Sequence, residues 1–359
     1  MSPARPGRKA DAPKNVIENF VPLGGSHCIT NALRQIFAYH GHLLSEEMIF
    51  GLASGLSFLY LNQSSAPLIS GRTKVGEFEA KLAQRLQITI RCRGGKDDAR
   101  AQTAAKRMID AQEPVLVYAD MAYLPYLGMP SNSHFGGHAV VLFGYDDAAR
   151  QFWLSDRDNH DHPIVVPDGQ LAQDSHLIAY EDLARARGSV HRPFPAHNRF
   201  LTFDFSAYQA PGPVAVRQAV REACAAMLTP PAQLLGCNGI LKFSKEILKW
   251  RQFDPEKLER ACTANYFQIH ENGGTGGGIF RRLYGGFLLE AAAILQEEKV
   301  EALGVGLIAV SERWDDIAQG LRQLAARGDD VLFKELSAAI TQIYRQEKNL
   351  YALLRDAIG

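Results

Sequence analysis

The sequence has no excess of charge of either sign and no long hydrophobic run. Lys plus Arg and Asp plus Glu both number 39 in 359 residues, so the formal net charge is zero. A nucleic-acid-binding protein needs a positive excess to displace counterions from phosphates, and this balance argues against that class, although a local basic patch stays open. No run of about 18 apolar residues occurs, which predicts that nothing in the chain spans a membrane. Residues 1–14 are basic and lack the apolar core of a secretory signal, so they predict a disordered leader.

Cysteine is also scarce, and its spacing excludes two common uses. The five cysteines are odd in number and none forms a CxxC pair: Cys28, Cys92, Cys224, Cys237 and Cys262. A disulfide framework and a structural zinc site are therefore not expected. We predict a reducing cytoplasm, where a thiol stays free to react, and no bound metal or cofactor.

The order of apolar residues predicts an α+β domain followed by an all-α domain. Helical spacing begins at Cys28, again after Ser45, and over 75–86 and 99–111. The Ser45 hydroxyl is predicted to cap the second of these helices, and Glu46 and Glu47 favour the positive end of its dipole. Strand-like runs cover 88–91, 115–119, 139–145, 151–154 and 200–205, with a hairpin turn at 146–150. After a linker at 206–213, helical patterns cover 214–228, 239–251, 255–269, 279–297, 302–326 and 330–357. The predicted domains are thus 15–205 and 214–359, and the two last helices leave room for a homodimer interface.

The segment Gly24–Cys28 suggests a reactive thiol. Two glycines allow a tight turn, and Ser26 is a possible helix cap, so Cys28 falls in the first helical turn. Backbone N–H groups and the positive end of the helix dipole stabilise a thiolate there, and the same N–H groups suit an oxyanion. The alternative is a buried cysteine that acts as a small hydrophobic residue.

Two later residues supply the partners that such a thiol needs. His138 follows two glycines and opens an apolar strand, where a general base is held rigidly. Asp156 ends the next strand, and a hairpin would bring it to His138 to orient the ring. Taken singly, each residue has an alternative: a capping or packing role for His138, and the start of a surface turn for Asp156. Other nearby histidines lack metal-ligand spacing and predict a solvated loop: His134, His160 and His162.

Several separate segments resemble the butirosin-biosynthesis H-protein family. In the first half they are His27-Cys28, Leu44–Glu47, Gly51–Gly55, Asp120 with Leu124–Tyr126, Gly137–Val141, Gly144–Asp146 and Tyr180–Arg187. The second half is similar to that family's helical C-terminal domain through Gly273–Tyr284 and Phe287-Leu288. The similarity covers nearly all of the chain after residue 20.

The resemblance implies a papain-like cysteine fold used for acyl transfer. The family's named member moves an aminoacyl group from the phosphopantetheine thioester of an acyl carrier protein to an aminoglycoside amine. By matching position, Cys28 would be the acylated nucleophile, His138 the base and Asp156 the orienting acid. Papain-like enzymes usually carry a glutamine shortly before the cysteine, and residues 21–27 contain none. The Cys28 N–H, helped by His27 or a more distant side chain, is then the expected oxyanion donor.

Three further features are candidate binding elements. Asp120 and Tyr126 follow a strand and would line the cleft, unless they serve in aromatic packing. Gly276, Gly277 and Gly278 expose N–H groups before a helix whose first turn carries Arg282, an arrangement suited to the phosphopantetheine phosphate or an acidic carrier helix. The alternative for this loop is a hinge between two helices.

The sequence therefore predicts an acyltransferase that uses a carrier-protein thioester and a small-molecule amine. A thioesterase or peptidase with the same three residues is the second possibility. A catalytically silent binding module is the third, and the intact Cys28, His138 and Asp156 set speaks against it.

Overall fold

A computed structural model of the chain describes residues 14–74, 76–192 and 194–359, with Arg327 described by its backbone alone. The described chain forms two units. The sheet unit contains the residues up to Gly24 and Cys92–Thr202, and the helical unit contains Gly25–Arg91 and Phe203–Gly359. The chain passes between them three times, once at Gly24–Gly25 and twice within strands, at Arg91–Cys92 and Thr202–Phe203.

The main sheet has seven strands and accounts for the β part of the α+β fold. In chain order they are β1 (Lys14–Val16), β4 (Thr89–Arg93), β5 (Val115–Ala119), β6 (His138–Asp146), β7 (Gln151–Ser155), β10 (His176–Ala179) and β11 (Phe200–Asp204). Their order is β10-β7-β6-β5-β11-β4, and β1 pairs with β6. The pairs β1–β6, β10–β7, β7–β6, β6–β5 and β5–β11 are antiparallel. Strands β5 and β6 are apolar without alternation because both of their faces are buried.

Around this sheet lie α4 (Asp98–Asp110), α5 (Tyr180–Gly188) and the small hairpin of β8 (Ile164–Val166) and β9 (Gly169–Leu171). Residues 1–13 of the predicted leader lie outside the described residues. Lys14, the last residue of that prediction, pairs with Asp146 as the first residue of β1. The predicted hairpin at 146–150 is confirmed as the β6–β7 connection.

The first helix of the helical unit begins at Cys28. The N-terminal elements of this unit are α1 (Cys28–Tyr39), α2 (Glu46–Leu52), β2 (Leu56–Leu61), β3 (Leu68–Arg72) and α3 (Glu77–Leu86). Its C-terminal helices are α6 (Pro213–Leu228), α7 (Gly236–Glu246), α8 (Pro255–Ile269), α9 (Arg281–Leu295), α10 (Glu298–Arg327) and α11 (Asp330–Ile358). The C-terminal region is helical, as predicted. The β2–β3 hairpin was not predicted, although β2 alternates buried and partly exposed positions as a half-buried strand does.

This division differs from the predicted consecutive domains 15–205 and 214–359. The physical reason lies in the packing of Gly25–Arg91, which adds its apolar faces to the C-terminal helices: α2 packs on α9, and β2 packs on α7. Periodicity reports that an element has an apolar face but not which element covers it.

A buried ion pair lies among the C-terminal helices. Glu347 occupies the buried stripe of α11 and receives both Arg281 Nε (2.8 Å) and Arg281 Nη2 (2.9 Å). Trp314 Nε1 (2.7 Å) and the Tyr351 hydroxyl (3.1 Å) also donate to this carboxylate. Each buried charge therefore has a partner, which is what makes the burial of an ion pair tolerable.

Candidate active site

Cys28 is the first residue of α1 and is partly exposed. His27 precedes the helix in an extended conformation (φ −134°, ψ 129°), and its carbonyl accepts the first helical hydrogen bond, from Asn31 N at 2.9 Å. The predicted placement of Cys28 at a helix start is thereby confirmed. The N-terminal end of a helix favours a negatively charged sulfur.

A carboxylate that the sequence prediction missed holds the turn before Cys28. Glu46 Oε1 accepts the N–H of Ser26 at 2.7 Å, and Oε2 accepts the N–H of His27 (3.1 Å) and the hydroxyl of Thr30 (2.6 Å). Burial raises the pKa of Glu46, and these hydrogen bonds offset part of that effect. A Cβ at Gly25 would lie 2.3 Å from Glu46 Oε1, which explains a glycine at this position.

Glu46 was predicted only as an acidic residue in the first turn of α2, which it also is. Nothing in the spacing of the sequence connects it to residues 26–30, because the link depends on how α1 and α2 pack.

The surroundings of His27 assign it a packing role. Its N–H donates to Glu46, and its ring lies edge-on to Phe280 at 5.1 Å and to Phe50 at 6.3 Å. The residue is 3% exposed. In this conformation the backbone N–H of His27 is committed to the Glu46 carboxylate, and a part for His27 in an oxyanion hole stays a prediction.

The β6–β7 hairpin brings Asp156 to His138, as the sequence predicted. His138 opens β6 and Asp156 directly follows β7, so both lie at the same end of two paired strands. His138 Nε2 and Asp156 Oδ2 are 2.7 Å apart, and both side chains are buried. Although burial alone would raise the pKa of Asp156, the charge and hydrogen bond of His138 and the bond from Tyr126 lower it to about 2. The carboxylate is therefore ionised at neutral pH, as a group that orients an imidazole must be.

Tyr126 belongs to the same cluster, in a role that the sequence did not indicate. It lies on a short 3-10 turn, Pro125–Leu127, and its hydroxyl donates to Asp156 Oδ2 at 2.8 Å. Burial and the negative charge of Asp156 raise its pKa well above the usual value, which keeps the phenol protonated. A phenol has one proton to donate, so Tyr126 cannot also donate to an oxyanion while this bond exists.

Asp120, the other cleft candidate, is fully buried. Its carboxylate accepts the Ser189 hydroxyl (2.6 Å), His134 Nδ1 (3.0 Å) and the Phe135 N–H (3.0 Å). Burial would raise the pKa of Asp120, but these donors lower it overall. The arrangement holds the loop between β5 and β6 in place rather than presenting a charged group to solvent.

The glycine-rich segment packs tightly and uses some of its own N–H groups. The Gly277 N–H donates to Thr275 Oγ1 (3.2 Å), and the Gly278 N–H donates to Asp315 Oδ1 (2.9 Å). Arg282 lies 3.2 Å from Asp315 and 3.8 Å from Glu271. The predicted helix start at 279 is wrong, because Ile279 and Phe280 have positive φ (50° and 73°) and α9 begins at Arg281. A phosphate at this loop stays a prediction, and it would compete with these acidic side chains.

Three of the other cysteines are unsuited to nucleophilic chemistry. Burial raises the pKa of each to about 12: Cys224, Cys237 and Cys262. Such thiols stay protonated at neutral pH. Cys92 is exposed on β4. Cys28 and Cys237 both lie in the first turn of a helix, but Cys237 is buried, whereas Cys28 is partly exposed.

The candidate residues are distributed over both units. His138, Asp156, Tyr126 and Asp120 belong to the sheet unit, whereas Cys28, His27 and the Gly276–Gly278 loop belong to the helical unit. Within the described ranges, no group of three or more His, Cys, Asp or Glu is arranged to hold a metal ion. The part of the chain that the structure describes contains no helix long and apolar enough to cross a membrane.

A thiol at a helix start and a buried His–Asp pair are side-chain types that thiol-dependent enzymes use. Comparison with known families agrees with an enzyme of biosynthesis. Residues 27–157 match the family model described as butirosin biosynthesis protein H, N-terminal, and residues 181–354 match a domain of unknown function, DUF4872. These two matches confirm the resemblance found in the sequence. Comparison with curated protein sequences gives no match.

Proposed function

We propose that this protein is a cysteine-dependent acyltransferase with a papain-like fold. Cys28 is the nucleophile, His138 the base and Asp156 the residue that orients the base. The donor is an acyl or aminoacyl thioester on the phosphopantetheine arm of a carrier protein, and the acceptor is a small-molecule amine. The observation that carries the proposal is the 2.7 Å contact between His138 and an Asp156 carboxylate whose pKa is about 2, in a chain with this family match.

The proposed chemistry has two balanced steps. In the first, the Cys28 thiolate attacks the thioester carbonyl, the bond from that carbon to the pantetheine sulfur breaks, and the departing thiolate takes a proton from protonated His138. In the second, the acceptor amine attacks the Cys28 thioester and transfers a proton to His138, and the Cys28 thiolate leaves. Because Nε2 of His138 faces Asp156, the proton moves through Nδ1.

The donor is already activated, which suits the residues present. Exchange of a thioester for another thioester is nearly neutral in free energy, so the enzyme needs a thiolate and a positioned base rather than a metal or cofactor. Asp156 stabilises the imidazolium that forms when His138 accepts a proton. In a reducing cytoplasm Cys28 would remain a free thiol.

The carrier protein is proposed to reach the Gly276–Gly278 loop and Arg282. This part of the proposal comes from the sequence, where the glycines precede a helix with a basic first turn. Arg282 is 44% exposed at its side chain, so a carrier phosphate or carboxylate can approach it while displacing Glu271 or Asp315.

Intact-mass measurement with an acyl-loaded carrier protein tests the proposal. We expect a mass increase equal to the acyl group, absent in Cys28→Ala and retained in Cys92→Ala, the matched control with an exposed thiol. Addition of an amine should remove the adduct and yield the amide. Release of free acid without amide would instead identify a hydrolase, and no adduct with any thioester would identify a silent binding module.

A further inference from the structure

The position of Asp156 depends on donors beyond His138. Its Oδ2 receives the Tyr126 hydroxyl at 2.8 Å in addition to His138 Nε2, and its Oδ1 receives the N–H of Arg157 at 2.7 Å. A carboxylate held by three donors cannot rotate away from the imidazole without losing hydrogen bonds in a buried environment.

Tyr126 is itself held by a second histidine–aspartate pair. Its ring stacks on the ring of His176, with centroids 4.0 Å apart and planes at 13°. His176 Nε2 lies 2.9 Å from Asp158 Oδ1, and both side chains are buried. The Gln173 N–H donates to the other oxygen of Asp158 at 3.0 Å. The two pairs are therefore connected through one phenol ring.

We propose that Tyr126 is a positioning residue for the His138–Asp156 pair, and that His176 and Asp158 fix Tyr126 for this purpose. This inference rests on the proposed function, because it assigns Tyr126 a part in preparing the base. Three contacts in sequence connect the two pairs. Asp158 bonds to His176, the His176 ring stacks on the Tyr126 ring, and the Tyr126 hydroxyl bonds to Asp156.

The hydroxyl of Tyr126 also sets how strongly Asp156 attracts a proton on His138. Both groups bond to the same oxygen, so the phenol takes up part of the negative charge that the imidazolium would otherwise receive. The Tyr126 bond is strongest while His138 is neutral and therefore favours the neutral base. Arg157 and Asp158, from the segment after β7, are charged groups that face this cluster, and His176 is a titratable group that stacks on Tyr126.

Removal of the Tyr126 hydroxyl should raise the titration midpoint of His138. In Tyr126→Phe the ring can still stack on His176, but Asp156 Oδ2 no longer accepts a phenol hydrogen bond. Its negative charge then interacts more strongly with the His138 ring. We expect the titration midpoint of the His138 ring to move to higher pH by about half a unit, or about threefold in proton affinity, which equals about 0.7 kcal/mol. A residue that only filled space would leave this midpoint unchanged.

The experiment is an NMR titration of the histidine ring protons of the complete chain, with the His138 signal assigned by its loss in His138→Gln. Tyr123→Phe is the matched control, since Tyr123 lies on the neighbouring 3-10 turn and its hydroxyl contacts His191 at 3.1 Å. The midpoint of His138 should be higher in Tyr126→Phe than in the wild-type protein, and it should be unchanged in Tyr123→Phe. An unchanged or lower midpoint in folded Tyr126→Phe would overturn the proposal.

His176→Phe provides a second test that remains available if Tyr126→Phe does not fold. It keeps an aromatic ring against Tyr126 and removes the bond to Asp158, so we expect a shift of His138 in the same direction but smaller. The double variant should shift no more than Tyr126→Phe alone, because His176 acts through Tyr126. Additive shifts of the His138 midpoint in the double variant, or no shift in His176→Phe, would show that His176 does not act through Tyr126. The titration uses no substrate, so its outcome does not depend on acyl transfer. Absence of acyl transfer would refute the proposed function, whereas an unchanged His138 midpoint would refute the positioning role of Tyr126.

Discussion

Replacement of Asp156 by Asn tests the energetics of the His–Asp pair. The pKa of this carboxyl is about 2 in the folded protein, against an ordinary value of 3.8. The difference corresponds to about 2 kcal/mol by which folding favours the ionised carboxylate at neutral pH. Since Asn has nearly the same shape but no charge, we expect Asp156→Asn to lower the free energy of opening the sheet by about 2 kcal/mol at pH 7.

The pH dependence of this loss follows from the sign of the pKa change. A carboxyl whose folded pKa is depressed contributes its full stability above the unfolded pKa and loses it as the pH falls through the folded value. With a pKa of 3.8 in the unfolded chain and about 2 in the folded protein, the contribution is nearly complete at pH 5 and falls to roughly half at pH 3. The difference between the wild-type protein and Asp156→Asn should shrink accordingly.

Hydrogen exchange of the amides in β6 and β7 at pH 7, 5 and 3 measures the free energy of opening this part of the sheet. Asp110→Asn is the control, because Asp110 is an exposed carboxylate that also accepts a tyrosine hydroxyl, from Tyr145 at 2.8 Å. We expect Asp110→Asn to change the free energy of opening by no more than about 0.5 kcal/mol at each pH. A loss in Asp156→Asn that is equal at pH 7 and pH 3, or one no larger than that of the control, would refute the reasoning. Acyl-enzyme formation should also fall, by about 100-fold or more if His138 loses its orientation.

Three further substitutions address the helical unit. Arg282→Glu should raise KM for carrier-bound thioesters and leave KM for a small free thioester unchanged; an equal change for both donors would argue against a carrier contact. Glu347→Ala leaves the buried charge of Arg281 without its partner and should cost about 3–5 kcal/mol in urea denaturation. A loss below 1 kcal/mol would show that water reaches this charge. Gly278→Ala should destabilise the protein by at least about 1 kcal/mol, because φ is +55° and a Cβ would lie 2.3 Å from Ser311 Cα. An unchanged Tm in a thermal scan would contradict the close approach.

Local features of the site were predictable because they depend on neighbours in the sequence. Glycines followed by an apolar helical pattern placed Cys28 at a helix start. The short turn between two apolar runs placed His138 and Asp156 at one end of a hairpin, since antiparallel strands of similar length bring their outer ends together. The Ser45 cap of α2 was also correctly predicted, and its hydroxyl accepts the Met48 N–H at 2.9 Å.

Contacts between distant segments were not predictable in the same way. Tyr126 was expected to line a cleft, but its hydroxyl is turned to Asp156, thirty residues along the chain. His176 has no feature in its sequence context that connects it with Tyr126. A side chain's partner across a fold depends on which elements pack together, and periodicity carries no information about that choice.

The sequence by itself determined the α+β class, the helical C-terminal region, the family resemblance and the three residues proposed for acyl transfer. Only the tertiary structure decided that Gly25–Arg91 packs with the C-terminal helices, that Glu46 holds the turn before Cys28, and that Tyr126 shares Asp156 with His138. Turns, caps and hairpins are set over a few residues by backbone geometry and hydrogen bonding. The burial of polar side chains is settled only when remote donors and acceptors meet in the folded chain, because each must find a partner there to offset its lost hydration.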